Sequence, residues 1–233
     1  MIYFSHRGSN TQRVQNTVDA FALAHKQGAR YFELDVHLLK DGNLAVHHDY
    51  SLLSTAGIDV PLKELTAKTL HDYPLKNLFT QDTVYVPLLQ DILPVITPGL
   101  EILNIELKND NNLYPGLEET VLKAVAAEML PKVLFSSFDY ESLKRLRVLS
   151  PTVRMGQLTR TFNVQETLNI GAESVHINHI RFTPKIAQTC HAYGLKVYCY
   201  TVNDQELAVR LAQDGCDGIF TDKITAFIHE KPL

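Results

Sequence analysis

Tryptophan is absent from this chain and cysteine is scarce, with three in 233 residues. Cys190, Cys199 and Cys216 are odd in number, lack CxxC spacing and crowd into the last fifth of the sequence. That excludes a disulfide framework and points to no zinc site, so the three read as small buried hydrophobes. No apolar run approaches the ~20 residues of a membrane span, and the start Met1-Ile2-Tyr3-Phe4-Ser5 lacks the positive segment and apolar stretch of a signal peptide. The expectation is a cytoplasmic protein without a membrane span. A basic stripe is missing too: 22 Lys and Arg stand against 26 Asp and Glu, scattered along the chain, for a formal charge of −4. Nucleic acid is therefore not an expected partner.

What the chain does have is an alternation. Short β-branched or aromatic runs at residues 2–5, 31–36, 44–47, 102–107, 132–136, 153–158, 174–177, 195–201 and 218–221 are interleaved with stretches of helical period. The helical stretches fall at 17–27, 117–129, 140–149, 184–193 and 204–214, with Gly28, Gly194 and Gly215 where C-caps are expected. This is the pattern of βαβ units around a parallel sheet, and the length suits one domain. The expectation is an α/β chain folded as a (β/α)8 TIM barrel over residues 1–233. Nine candidate strands are one more than a barrel uses, and the pattern does not say which is accessory. Two places break the alternation. Only the turn Lys40-Asp41-Gly42-Asn43 separates the second and third strands, too little for a crossover helix. Residues 50–87 are rich in turn formers, with one helix expected over 63–73, and read as a small insertion over the barrel mouth.

Charged residues gather at the strand ends, where barrel enzymes build active sites. His6-Arg7-Gly8 closes the first strand, Glu33-Leu34-Asp35 the second, His47-His48-Asp49 the third and Glu106-Leu107-Lys108 the fourth. Glu33 and Asp35 are two apart in an extended run and so point to one side. Three carboxylates on one rim repel unless a cation lies between them, and an all-oxygen set favours Mg2+ or Ca2+.

The ordered set of motifs resembles the glycerophosphodiester phosphodiesterase family. It comprises His6-Arg7-Gly8, Asn16-Thr17, Ala20-Phe21, Gly28-Ala29, Glu33-Leu34-Asp35-Val36, Lys40-Asp41-Gly42, His48-Asp49 and Glu106-Leu107-Lys108. It continues with Ser136-Ser137-Phe138, Thr201-Val202-Asn203 and Asp217-Gly218-Ile219-Phe220-Thr221-Asp222. The resemblance implies one divalent metal ion, Mg2+ or Ca2+, on Glu33, Asp35 and Glu106, and a catalytic pair, His48 as general acid and His6 as base. It further implies Arg7, Lys108, Phe138 and Tyr200 as substrate contacts. The expected substrate is a small-molecule glycerophosphodiester such as glycerophosphocholine or glycerophosphoethanolamine, cleaved to glycerol 3-phosphate and an alcohol. These residue types suit the reaction, because an anionic diester needs positive charge on its non-bridging oxygens and a proton for its leaving group.

The chain departs from the family pattern twice: Gln15 replaces a glutamate before Asn16-Thr17, and Tyr200 replaces a tryptophan before Thr201. The first removes a charge near the site, and the second alters the wall against which substrate would lie. Other readings kept open are a lysophospholipase D-like enzyme acting on lysolipids and a non-catalytic phosphodiester-binding barrel. Homo-oligomerisation is left open as well.

Overall fold

The computed structural model describes residues 1–228. Nine strands among them share one sheet: β1 (Ile2–His6), β2 (Tyr31–Leu38), β3 (Leu44–Val46), β4 (Ile102–Leu107), β5 (Val133–Ser137), β6 (Arg154–Thr159), β7 (Ser174–Asn178), β8 (Lys196–Tyr200) and β9 (Gly218–Thr221). Eight of them are parallel and close on themselves, because β1 pairs with both β9 and β2. The ninth is β3, which lies antiparallel on the rim end of β2 through the tight turn after Leu38 and stays outside the ring. The accessory strand is thus the one whose connection is too short for a crossover.

Period two sorts each strand's side chains. Phe4, Leu134, Tyr198 and Phe220 face inward and plug the barrel interior, Phe4 stacking on Phe220 with ring centres 4.7 Å apart. Their neighbours in sequence, such as Phe135, Val197 and Ile219, face outward into the apolar layer beneath the helices. Those helices are α1 (Val18–Lys26), α2 (Leu53–Ala56), α3 (Leu89–Ile96), α4 (Leu117–Ala124), α5 (Tyr140–Leu149), α6 (Val164–Asn169), α7 (Pro184–Ala192), α8 (Gln205–Gln213) and α9 (Ile224–Ile228). Gly28, Gly194 and Gly215 follow α1, α7 and α8 at positive φ, as their spacing suggests.

Three expected or missed helices differ for local reasons. The helix expected over 63–73 is replaced by two single 3-10 turns, Leu62–Glu64 and Thr69–Asp72. Thr66 and Thr69 each take the other's backbone N–H on their hydroxyl, and the Leu65 carbonyl is claimed by the Lys40 N–H, so the helical ladder is interrupted between the turns. The helix expected to run to 129 stops at Ala124, where Val125 turns extended into the core. α3 escapes sequence reading because Pro94 lies inside it, yet Leu89, Ile92 and Ile96 bury its apolar face against the main core.

Strand register sets the site. His6, Glu33 and Asn104 are paired across β1, β2 and β4, and one layer nearer the rim Asp35, Glu106 and Ser136 are paired across β2, β4 and β5.

Candidate active site

At the end of β1 the backbone turns through Arg7 at φ 59° and Gly8 at φ 80°, and a Cβ on Gly8 would lie 2.6 Å from the Ala20 carbonyl carbon. Only glycine allows this approach of the β1 loop to α1. The turn leaves the Arg7 N–H to donate to the Glu33 carbonyl at 3.0 Å, which fixes β1 against β2 where both carry site residues. Thr17 caps α1 by accepting from the Ala20 N–H, while Asn16 donates from Nδ2 to Asp35 Oδ2 at 2.9 Å. The Asn16-Thr17 pair therefore ties the helix start to a site carboxylate.

Glu33, Asp35 and Glu106 are all buried, and one carboxylate oxygen from each lies within 4.8 Å of the others. Arg7 Nε approaches Asp35 Oδ2 at 3.1 Å, and Lys108 Nζ lies 2.9 Å from Asp35 Oδ1 and 2.5 Å from Glu106 Oε1. Burial alone would raise Asp35, but Lys108 and Arg7 hold its carboxyl well below the usual range. Glu33 and Glu106 are not so compensated: burial and the neighbouring Asp35 push Glu33 well up, and burial takes Glu106 to about 7. Three buried carboxylates against two cations leave a deficit of positive charge, and an all-oxygen donor set of this spacing fits one divalent cation.

His6 and His48 both line one cavity of about 180 Å3, together with Glu33, Glu106 and Lys108. Each has a carboxylate on Nδ1: Asp222 Oδ1 at 2.7 Å for His6 and Asp49 Oδ1 at 2.6 Å for His48. The surroundings differ. Asp222 also accepts from Asn10 and Asn203, and the His6 side chain is 14 % exposed. Asp49 is held by Ser54 at the surface, and His48 is 38 % exposed. Burial lowers both imidazoles, against the opposing pull of Asp222 on His6 and of Asp35 on His48.

Of the residues singled out in the sequence, His6, Arg7, Glu33, His48, Glu106, Lys108, Phe138 and Tyr200 line this cavity, and Asp35 is joined to it through Arg7 and Lys108. Arg7 and Lys108 are engaged with Asp35, and Arg7 Nη1 also donates to Gln15 Oε1 at 2.9 Å, so the amide serves as an acceptor where a glutamate would add charge. Phe138 and Tyr200 form an edge-to-face wall, rings 6.0 Å apart at 89°, with Arg160 stacked 4.5 Å over Phe138. The Tyr200 hydroxyl donates to the Thr159 carbonyl at 3.3 Å, so the wall presents a ring. Ser137 is a strand-end cap, donating to the Leu107 carbonyl and accepting from the Asp139 N–H. Sequence reasoning missed the partners: Asp222, Asn10 and Asn203 around His6, Asn16 on Asp35, and Asn104 and His176 on the cavity wall. Asp222 had a signal, as the acidic residue closing the last strand's motif. A larger depression of about 630 Å3 lies alongside, lined by Tyr50, Leu53, Leu113 and Tyr114, and adjoins the chemistry at Asp49. The reactive groups are in the smaller cavity.

The model of the glycerophosphoryl diester phosphodiesterase family matches residues 6–226. A glycerophosphodiester phosphodiesterase of Caldanaerobacter subterraneus subsp. tengcongensis is 30 % identical over 234 residues, covering 98 % of this chain and 96 % of its own. One from Bacillus altitudinis is 34 % identical over 228 residues, covering 94 % and 93 %. Among solved structures, an Oleispira antarctica phosphodiesterase in complex with its product sn-glycerol 3-phosphate superposes with a TM-score of 0.85 at 28 % identity, covering 98 % of this chain and 95 % of that one. Barrel, site and relatives agree, and the chain belongs to the glycerophosphoryl diester phosphodiesterase family of enzymes.

Proposed function

We propose that the chain hydrolyses glycerophosphodiesters such as glycerophosphocholine and glycerophosphoethanolamine to glycerol 3-phosphate and the free alcohol, using His6 as base and His48 as acid. One observation carries the proposal. Two imidazoles, each with Nδ1 tied to a carboxylate, line one cavity with Glu33 and Glu106, two of the three clustered carboxylates. With Nδ1 engaged, Nε2 is the nitrogen left for substrate on both rings. His6, enclosed and held by Asp222, takes the proton of the attacking water. His48, on the more open side, returns a proton to the departing alcohol, which then has a path to solvent. Arg7 and Lys108 supply positive charge to the phosphoryl oxygens, and Phe138 and Tyr200 form an apolar wall for the glycerol carbons. Glu33, Asp35 and Glu106 would hold Mg2+ or Ca2+, which supplies Lewis-acid stabilisation of the phosphoryl charge. The product complex of the Oleispira relative supports the same product here.

The test is release of glycerol 3-phosphate from the two diesters with EDTA, Mg2+ or Ca2+. Turnover restored by one of the ions is expected, and no turnover with either overturns the reading. For the histidines, His48→Ala is expected to recover most of its loss on a diester with a p-nitrophenolate leaving group, whereas His6→Ala is not. Equal losses on both substrates would sink the acid and base assignment.

A second reading has a specific observation behind it. The depression beside Asp49 is lined by apolar groups, and Leu53 and Leu113 on it are exposed, which suits an acyl chain. Lysophosphatidylcholine turnover exceeding that of glycerophosphocholine would select a lysophospholipase D-like activity. Membership of an enzyme family replaces the non-catalytic reading. No helix among the described residues is long and apolar enough to cross a membrane, and we place the enzyme in the cytoplasm as one domain, with residues 50–87 as an insertion beside the mouth.

A further inference from the structure

The cavity has a wall whose polar atoms the proposed chemistry does not use. Asn104 pairs with Glu33 in the strand register and so stands at the level of the carboxylate cluster. It is 1 % exposed, its Nδ2 donates to Ser136 Oγ at 2.9 Å, and its Oδ1 has no partner. His176, from β7, is fully buried between the rings of Tyr198 and Phe220. Its Nε2 lies 2.9 Å from Ser174 Oγ, and its Nδ1 has no partner. Both residues line the same cavity as His6 and His48.

Buried polar atoms are nearly always satisfied, so two unpartnered ones on residues that line one cavity mark a place for a hydrogen-bonding ligand. Neighbouring sequence makes room for this arrangement. A Cβ on Gly156 would fall 2.3 Å from His176 Nε2 and 2.7 Å from Ser174 Oγ, so the adjacent strand is emptied of side chain where the imidazole lies. The chemistry of the pair fits hydroxyls. An amide oxygen accepts, a neutral imidazole offers one donor and one acceptor, and neither carries a charge to attract a phosphate or a choline. A cavity of about 180 Å3 is below the range of drug-sized sites, consistent with a short polyol phosphate with the second alcohol outside.

We infer that Asn104 and His176 form the subsite that reads the free hydroxyls of the glycerol moiety, Asn104 Oδ1 accepting from one and His176 Nδ1 pairing with the other. The inference rests on the proposed hydrolysis and deepens it by naming the two residues that contact the glycerol hydroxyls.

The experiment compares kcat/KM for glycerophosphocholine and for 3-hydroxypropyl phosphocholine, which lacks one hydroxyl, in wild type, Asn104→Leu and His176→Phe with the activating ion present. A site built to bond a hydroxyl discriminates strongly against its absence, so wild type is expected to prefer the glycerol diester by about 100-fold or more. The variant at the residue that reads the missing hydroxyl is expected to cut that preference by about tenfold or more, while the other variant lowers both rates alike. A preference unchanged in both variants, even with both rates lowered, overturns the inference and leaves the pair a structural or water-holding role, as does a wild type that does not discriminate. Should the variants fail to fold, calorimetry on wild type decides: sn-glycerol 3-phosphate is expected to bind about tenfold or more tightly than 3-hydroxypropyl phosphate, and equal affinity is the overturning result. Wild type inactive on both diesters would defeat the proposed function, while the same calorimetry would still decide the subsite.

Discussion

Asp222 closes the last barrel strand yet acts on the first: its carboxylate holds His6 Nδ1 at 2.7 Å and is itself held by Asn10 and Asn203. A carboxylate in this position keeps the proton on Nδ1 and turns Nε2 to the substrate. Asp222→Asn keeps the volume and loses that control. The expected outcome is a fall of about 100-fold or more in kcat with KM changed only a few-fold, measured by steady-state kinetics on glycerophosphocholine. Glu106→Gln removes one charge from the carboxylate set and is expected to weaken the apparent Mg2+ or Ca2+ activation constant by about tenfold or more, read from metal titration of activity. The histidines and the three carboxylates were legible because each lies at or near the end of a strand in the sequence pattern, and Glu33 and Asp35 are two apart along β2. Asp222 on His6, Asn16 on Asp35 and the Asn104 and His176 wall were not, because each contact is made only after strands distant in sequence are brought side by side. His176 in particular depends on a vacancy at Gly156, which no spacing rule exposes.

At the scale of elements, barrel order was readable because most crossover units carry their own periodicity. The structure resolves the surplus strand as β3, on the evidence of a connection too short to cross the sheet. α3 was hidden by Pro94, and the turns of Leu62–Glu64 and Thr69–Asp72 replaced a helix because threonine hydroxyls competed for the backbone. The helix layer is also anchored to the site. Glu118 on α4 accepts through Oε1 from Asn109 Nδ2 at 2.9 Å, from Ser142 Oγ and from Arg145 Nη2 at 2.9 Å, and Asn109 directly follows Lys108. Glu118→Ala leaves those buried donors without an acceptor and is expected to cost about 2–4 kcal/mol, seen as a lower urea midpoint with unchanged slope.

Across the whole molecule, the proposed metal site would couple pH to metal binding through Glu33 and Glu106. Both carboxyls are raised in the folded state, so their contribution to stability is present below the ordinary value of 4.5 and is lost as pH climbs through about 7, the Glu106 value. His37 and His176 act oppositely: burial takes both to about 3, so their contribution is present above 6.5 and is lost as pH falls below it. The midpoint of the metal-free protein therefore mixes two opposing trends, while the increment on adding metal isolates the carboxylates, which must shed protons to bind it. That increment in Tm is expected to be several degrees larger at pH 8 than at pH 6, compared by thermal scans in EDTA and in saturating Mg2+ or Ca2+. An equal increment at both values would detach the metal from Glu33 and Glu106.

The adjacency of β1 and β9, with His6 bonded to Asp222 across 216 positions of sequence, orders events in time as well as space. A ribosome delivers β1 first and β9 last, so a nascent chain exposes His6, the proposed base, long before that imidazole has a partner to orient it. A chain halted after α8 already contains both histidines and all three carboxylates, yet its ring is open and its first imidazole unaligned. On the proposed mechanism, catalytic competence waits for translation to supply the closing strand and Asp222.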